Sequence, residues 1–217
     1  PCFGFQYPQV ERIRHNENYP ARAQNAERLI CAVCGAMPNE RRPLPFGCGK
    51  TEMEFSAKNA LIPGSFDPIT LGHLDVIIRA SGIFDRVTVA VLANAEKHTM
   101  FTVDERLAMV SLAIEDEGLK NVGAVSWDGL TSDAASAFGA ATLVKGARGC
   151  VDFDYELMLA SVMRDFDARL DSVIFPARPE FAHISSTYAR EVIRYGGELS
   201  RALPASVASF VEKLGQK

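Results

Sequence analysis

The sequence predicts an α/β fold: a doubly wound, mostly parallel five-stranded sheet with helices on both faces and an N-terminal extension. Two observations lead to this prediction. From residue 58 onward, short apolar runs alternate with segments whose apolar residues recur at helical spacing. The run 87–92, VTVAVL, is uncharged and rich in β-branched residues, as in strands that are buried in a parallel sheet. Strands and helices that alternate in this way are joined by right-handed crossovers.

Each element has its own signal in the sequence. A first strand ends at Leu61-Ile62, and the helix after it repeats its apolar residues at helical spacing between residues 74 and 83. The second helix begins with a capping box, in which Thr102 is the N-cap and Glu105 follows three residues later. The remaining strands are predicted at 122–127, 141–144 and 172–175, and the remaining helices at 132–138, at 152–170 and from near Ser185 and Pro204.

The prolines and cysteines divide the chain. Six of the eleven prolines and four of the five cysteines precede residue 58, so we predict an N-terminal extension of unknown role, residues 1–57, and a core domain, residues 58–217. The core domain is long enough to bury a sizeable core. Within the extension, Cys31, Cys34 and Cys48 are a weak candidate for a zinc site, with Cys2 or His15 as an uncertain fourth ligand. The alternative is an extension that is disordered or packs on the surface of the core domain.

The bulk properties argue against several classes of protein. The net charge is −4, which argues against broad nucleic-acid binding, so no nucleic-acid partner is expected. No run of about 18 apolar residues is present, so no membrane span and no membrane partner are expected. The first residues also lack the pattern of a secretory signal. Five cysteines without such a signal favour free thiols or a metal site in a reducing cytoplasm.

Five loops lie at the carboxyl ends of the predicted strands, where open parallel sheets bind their ligands. The first, residues 63–73, reads PGSFDPITLGH. Its Gly72-His73 opens a helix, where free N–H groups and the helix dipole favour an anion. Taken alone, this loop is equally typical of a rigid turn with a histidine at a helix start. The other four loops are residues 93–101, 127–131, 145–151 and 176–187.

Three of those loops contribute groups that suit phosphate. Loop 93–101 contains Lys97, and loop 145–151 contains Lys145 and Arg148 on either side of Gly146. Loop 176–187 ends in three hydroxyl residues at a helix start, Ser185, Ser186 and Thr187. Cations supply charge, glycines allow close approach, and hydroxyls and amides bind terminal oxygens, so the set favours a polyphosphate ligand.

The order of these motifs resembles that of bacterial phosphopantetheine adenylyltransferases. Thr70-Leu71-Gly72-His73 matches the TxGH form of the nucleotidyltransferase motif, and Lys97 before MFT, then KGARGCVDFDYE and ISSTYAREV, follow in the family's order over about residues 58–215. The resemblance implies a Rossmann-like nucleotidyltransferase fold and an enzyme of coenzyme A biosynthesis. Such an enzyme joins ATP to 4′-phosphopantetheine, giving dephospho-coenzyme A and pyrophosphate. The resemblance further implies Mg²⁺ as cofactor, a homohexamer, and coenzyme A as a feedback ligand.

The resemblance also implies roles for single residues. His73 would stabilise the transferring α-phosphate, Lys97 would hold both phosphates near the line of attack, and Arg148 would complete the catalytic set. The phosphopantetheine substrate would be bound by Ser65, Lys97, Lys145 and, at the pantetheine arm, Thr131. ATP would be bound by Ser65, Phe66, Gly72, His73, Gly146, Ala147, Arg148, Glu156, Phe181, Ala182, His183, Ile184, Ser185, Ser186 and Thr187. Mg²⁺ would be held mainly by the ATP phosphates rather than by protein ligands.

Two residues depart from the family pattern. Lys145 stands where the family usually has arginine, so the charge is kept but the two-pronged guanidinium geometry is lost. His183 stands where an aromatic residue usually precedes the ISS sequence, which puts stacking near the adenine in doubt. Two other functions remain open: a related adenylyl- or cytidylyltransferase that acts on another phosphate, and a nucleotide-binding module without turnover.

Overall fold

The computed structural model describes residues 55–93 and 98–215, and the statements below refer to that part of the chain. Its five strands form one sheet in the order β3-β2-β1-β4-β5, and every neighbouring pair is parallel. The strands are β1 Ser56–Gly64, β2 Arg86–Leu92, β3 Val122–Trp127, β4 Ala140–Ala147 and β5 Asp171–Pro176. The helices are α1 Leu71–Ser81, α2 Val103–Asp116, α3 Thr131–Ala137, α4 Cys150–Phe166, α5 Ser186–Arg194 and α6 Ala205–Leu214.

The strand order creates a crevice between β1 and β4. The chain proceeds outward from β1 to the edge strand β3, then returns past β1 to add β4 and β5 on the other side. The segments that leave β1 and β4 therefore diverge at the carboxyl edge of the sheet. Ligands of open α/β sheets bind at such a switch point.

The core has two layers because alternate residues of each strand face opposite sides of the sheet. Ile62 and Val89 belong to one cluster, which is shared with α1, α2, α5 and α6. Leu61 and Ala90 belong to the other cluster, which is shared with α3 and with Met163 of α4. Helices therefore cover both faces, and the predicted doubly wound fold is confirmed.

Side-chain caps fix the starts of three helices. In α2, Thr102 and Glu105 form the predicted capping box. A second capping box opens α1, where Thr70 is the N-cap and the N3 residue is His73. Ser185 caps α5 by accepting a hydrogen bond from the Tyr188 N–H at 3.0 Å. The caps of α1 and α5 lie at the carboxyl edge of the sheet and define where those helices begin.

Several boundaries differ from the predicted ones. Residues 145–147, expected in a loop, are the last residues of β4, because their pairing with β5 continues to Ala147 opposite Pro176. Strand β1 begins at Ser56, two residues before the predicted start of the core domain. Helix α4 begins at Cys150 rather than at residue 152, and it ends at Phe166 because Asp167 has extended backbone.

Two expectations concern the rest of the chain or its surroundings. The candidate zinc ligands Cys31, Cys34 and Cys48 lie outside the described residues. Among the helices of the described part, none is long and apolar enough to cross a membrane.

Candidate active site

A cavity of about 570 Å³ opens at the crevice between β1 and β4. Its walls come from the loop after β1, the carboxyl end of β4, and the first turns of α1, α4 and α5. The volume is that of a typical small-molecule site. Three of the five loops singled out in the sequence, residues 63–73, 145–151 and 176–187, therefore contribute to one cavity.

The loop after β1 has an unusual backbone. Phe66 has φ +46°, a left-handed conformation that is rare outside glycine, and the Asp67–Pro68 peptide is cis. The Phe66 ring turns back over β1, so that a Cβ at Gly64 would lie 2.9 Å from a ring carbon. Gly64 is thus required by the packing of Phe66. The other side of the ring meets the edge of the His73 ring at 5.2 Å between centroids.

Hydrogen bonds from two other parts of the chain hold this loop. The carboxylate of Asp67, which is 2% exposed, accepts the backbone N–H groups of Met100 and Phe101, each at 2.9 Å. From α5, Arg190 donates to the carbonyl of Asp67 at 2.7 Å, and the Ser186 hydroxyl donates to the carbonyl of Pro68 at 2.9 Å. The loop and the first turns of α5 are therefore parts of one hydrogen-bonded unit.

A buried arginine supports the loop from below. Arg106 of α2 is 2% exposed. Its guanidinium donates to the carbonyl of Ser65, which follows β1, and to the carbonyl of Leu92, the last residue of β2. Burial lowers the pKa of this guanidinium, and the nearby Asp67 carboxylate opposes that shift. Because a buried cation is costly without such partners, the Arg106–Asp67 arrangement fixes the ends of two strands against α2.

His73 is held as a neutral donor. Its Nδ1 accepts the Thr70 backbone N–H at 3.1 Å and lies 3.0 Å from the Thr70 hydroxyl oxygen. Burial, reinforced by the positive charge of Arg148, lowers the pKa of His73 to about 4. The ring is therefore uncharged at neutral pH with its proton on Nε2. Since His73 lines the cavity, it offers an N–H donor at the start of α1.

The cations of the cavity face carboxylates of α4. Lys145 Nζ lies 3.2 Å from Glu156 Oε2, and Arg148 Nε donates to Asp152 Oδ2 at 2.8 Å. The hydrogen bond from Arg148 lowers the pKa of Asp152. With Arg190, the described residues contribute three cations and two carboxylates to the cavity wall. This wall can bind an anion if the carboxylates give way.

The opposite wall is the N-terminus of α5. Ser185, Ser186 and Thr187 line the cavity there, and the Thr187 hydroxyl accepts a hydrogen bond from Arg190 at 3.1 Å. The free N–H groups of a first helical turn favour negative ligand groups. The N-terminus of α5 and the cations at the end of β4 thus line the same cavity as His73.

The structure brings most of the predicted site residues together. Those that line the cavity are Ser65, Phe66, Gly72, His73, Lys145, Gly146, Ala147, Arg148, Glu156, Phe181, Ile184, Ser185, Ser186 and Thr187. Three predicted residues do not line it. Thr131 begins α3 after the edge strand β3, and Ala182 and His183 lie beside the wall, with the His183 ring against Tyr188. Lys97 lies outside the described residues.

Among the charged and aromatic residues that line the cavity in the described part of the chain, sequence reasoning missed three: Asp152, Tyr155 and Arg190. Asp152 follows Arg148 by four residues, a spacing that could have signalled an ion pair across a helix start. Arg190 follows Thr187 by three residues and so lies on the same side of α5. Tyr155 carries no comparable sequence signal.

Among the described residues, no group of three or more His, Cys, Asp or Glu side chains is placed to hold a metal ion. The two carboxylates in the cavity wall are already paired with cations.

The comparisons with known proteins give the class first. Residues 61–192 match the family model described as cytidylyltransferase-like. A solved structure from Vibrio parahaemolyticus, provisionally named a nicotinate-nucleotide adenylyltransferase, shares the fold with a TM-score of 0.55 at 22% identity, over 71% of this chain and 91% of that one. The cavity at the β1/β4 crevice and the TxGH helix start thus belong to a nucleotidyltransferase.

Two curated relatives identify the family within the nucleotidyltransferases. A phosphopantetheine adenylyltransferase from Corynebacterium diphtheriae is 44% identical over 159 residues, 72% of this chain and 98% of the relative. One from Limosilactobacillus reuteri is 43% identical over 156 residues, 72% of this chain and 89% of the relative. The chain belongs to the phosphopantetheine adenylyltransferase family.

Proposed function

We propose that the protein transfers the adenylyl group of ATP to 4′-phosphopantetheine, giving dephospho-coenzyme A and pyrophosphate in coenzyme A biosynthesis. Family membership supports the reaction. The structural observation that carries it is the neutral His73 at the start of α1, which lines one cavity together with the cations at the end of β4 and the N-terminus of α5. That arrangement serves a reaction in which one phosphate attacks another.

The chemistry requires little from the protein beyond positioning and charge. The nucleophile is a phosphate oxygen of 4′-phosphopantetheine, which is anionic at neutral pH and needs no general base. It attacks the α-phosphorus of ATP, the new P–O bond forms, and the bond to the pyrophosphate oxygen breaks with its electron pair. The barrier lies in bringing anions together and in the charge that develops on the α-phosphate oxygens.

Each wall of the cavity has a part in this scheme. The Nε2–H of His73 donates to the α-phosphate as its geometry becomes trigonal bipyramidal. Arg148 lies beside it and offsets the developing charge, and Lys145 binds the phosphate of the second substrate. The hydroxyls and N–H groups at Ser185–Thr187 hold the outer phosphates, with Arg190 behind them. Lys97 is proposed, from the resemblance alone, to bridge the two phosphates.

Mg²⁺ is proposed as the cofactor and would arrive on the ATP phosphates. It would neutralise part of the triphosphate charge and improve pyrophosphate as a leaving group. The cations of the cavity share that task from the protein side.

The direct test is pyrophosphate release from ATP and 4′-phosphopantetheine by the full chain. Turnover that needs both substrates supports the proposal. Release with CTP in place of ATP would favour cytidylyl transfer, the activity in the description of the family model. Binding of ATP without any release would leave a nucleotide-binding module.

Self-association is proposed as well, and the resemblance implies a hexamer. Helix α4 has no fully buried residue, and several of its large apolar side chains are exposed. Large apolar side chains that a helix leaves exposed favour a subunit interface. The α4 surface comprises Val151, Phe153, Leu157, Met158, Val162 and Phe166, and Val173 of β5 adds to it.

Sedimentation of the parent and of Leu157→Asp tests this surface. The substitution should shift the protein toward monomer, because it places a charge among apolar contacts. Ile83→Asp is the matched control, since Ile83 is equally apolar and 64% exposed but lies after α1. Equal effects of the two changes would refute the α4 interface.

Two further expectations follow from the resemblance and are proposed here. Coenzyme A would bind as a feedback ligand, and its inhibition should weaken as 4′-phosphopantetheine is raised if both occupy the same cavity. A cytoplasmic location is proposed from the odd number of cysteines in the chain.

A further inference from the structure

Two carboxylates of α4 are paired with two cations at the carboxyl end of β4: Lys145 in the strand and Arg148 just after it. Asp152 and Glu156 are four residues apart and so lie on the same side of the helix. Asp152 Oδ2 meets Arg148 Nε at 2.8 Å, and Glu156 Oε2 meets Lys145 Nζ at 3.2 Å. All four side chains line the cavity. The β4 cations that the proposed reaction needs for phosphate are therefore engaged by acids of the protein.

The two pairs are held to different degrees. Arg148 binds Asp152 through Nε and also through its backbone N–H at 3.3 Å. Among the described residues, Glu156 Oε2 is buried without a hydrogen bond, and its ion-pair partner is the ammonium of Lys145. Lys145 and Glu156 are about one-fifth exposed, whereas Arg148 and Asp152 are more open. A phosphate that enters the cavity must compete with both carboxylates.

Competition with the two carboxylates lowers the affinity of some ligands more than that of others. Inorganic phosphate or pyrophosphate has only its charge with which to displace a carboxylate. A nucleotide or a phosphorylated substrate makes additional contacts with the rest of the cavity, and these offset the cost. Unfavourable contacts that a wrong ligand cannot offset are a general source of specificity.

We propose that Asp152 and Glu156 are specificity-determining counter-ions: they neutralise Arg148 and Lys145 in the empty site and lower its affinity for small inorganic anions, including the product pyrophosphate. This inference rests on the proposed function, because it takes the β4 cations as the phosphate-binding groups. By the same competition, the carboxylates help to displace pyrophosphate after transfer.

Calorimetric titration of the full chain with inorganic pyrophosphate tests the inference. The variants are Asp152→Asn, Glu156→Gln and the double variant, which remove charge but keep shape. We expect each single change to lower the Kd for pyrophosphate about three- to fivefold and the double change to lower it about tenfold or more. Structural damage to the site would raise the Kd, so tightening is specific to the counter-ion role.

Asp154→Asn is the matched control. Asp154 lies on the same helix but is exposed and does not line the cavity. The Asp154→Asn variant has the same change in net charge as each single variant, so its Kd for pyrophosphate should stay within about twofold of that of the parent. Equal tightening by this control would overturn the inference, because it would show a general charge effect.

The outcomes separate this inference from the proposed function. If the parent binds ATP and pyrophosphate but the double variant binds pyrophosphate no more tightly, the counter-ion role is wrong and the proposed function stands. If the parent binds neither ligand, both are wrong. Should Asp152→Asn fail to fold, because it weakens the first turn of α4, Glu156→Gln alone decides by the same criterion.

Discussion

The backbone N–H of Thr70 donates to Nδ1 of His73 over 3.1 Å, and this contact decides which ring nitrogen carries the proton. A backbone N–H can only donate, so Nδ1 is an acceptor and Nε2 is protonated. The same residues form the capping box of α1. The start of the helix and the donor in the cavity are therefore set by one local arrangement.

Replacing His73 tests its role in the proposed transfer. Donors aimed at charge that develops in the transition state typically contribute about 10²–10³ in rate. We expect His73→Ala to lose about two to three orders of magnitude in kcat while the Kd for ATP changes only a few-fold. Steady-state kinetics and calorimetry measure the two quantities. Arg148→Ala provides the contrast, since loss of a phosphate-binding cation should also raise KM. Near-parental turnover in His73→Ala would leave His73 as a helix cap only.

The lowered pKa of His73 predicts how stability depends on pH. The folded protein disfavours the charged ring, with a pKa of about 4 against the ordinary value of 6.5. Above pH 6.5 the ring is neutral in both states and the penalty is absent. As the pH falls from 6.5 toward 4, the unfolded chain binds the proton first, so the free energy of unfolding decreases. The full loss is reached once the folded pKa is passed.

Chemical unfolding at pH 7 and pH 4.5 measures this effect. Comparison with His73→Gln removes the contribution of other groups, because glutamine does not titrate. The parent should lose about 1–3 kcal/mol more than the variant over this range, since the ring is partly exposed to the cavity and solvent reduces the penalty. Parallel losses in the two proteins would show that the ring titrates normally in the folded state.

Substitutions of Lys145 test whether the site requires the positive charge at this position. It is the last-but-two residue of β4, and its ammonium lies 3.2 Å from Glu156. Lys145→Arg should retain activity, because the charge is kept at the same strand end. Lys145→Ala should raise KM for 4′-phosphopantetheine more than the Kd for ATP. Equal losses for both substrates, or no loss, would move Lys145 out of the acceptor phosphate site.

The part of the site that sequence reasoning identified was local in the chain. The capping box at Thr102 and the β-branched run 87–92 are short patterns, and both elements formed as predicted. The loops of the site lie close together because the strands are parallel and their carboxyl ends share one edge of the sheet. The pairing of Asp152 with Arg148 was not predicted, because it depends on how α4 is rotated against β4. Nor does a charged residue in a helical pattern indicate burial, although Arg106 is among the largest fully buried side chains.

The start of the core domain gives the last prediction. Phe55 packs against the second core cluster, and the guanidinium of Arg169 lies over its ring at 4.2 Å. The Ser56 N–H donates to the carbonyl of Gly139 at 2.9 Å, where β1 begins to pair with β4. A chain that starts at Met53 keeps these contacts, whereas one that starts at Ala57 loses them. We therefore expect the Met53 chain to fold and retain activity, and the Ala57 chain to be less stable than it by about 2–3 kcal/mol.

Denaturant unfolding of the two chains, run beside the full chain, measures the difference. Equal stability of the two truncated chains would show that Phe55 and Ser56 contribute little. An insoluble Met53 chain would show that the core domain requires residues before Met53.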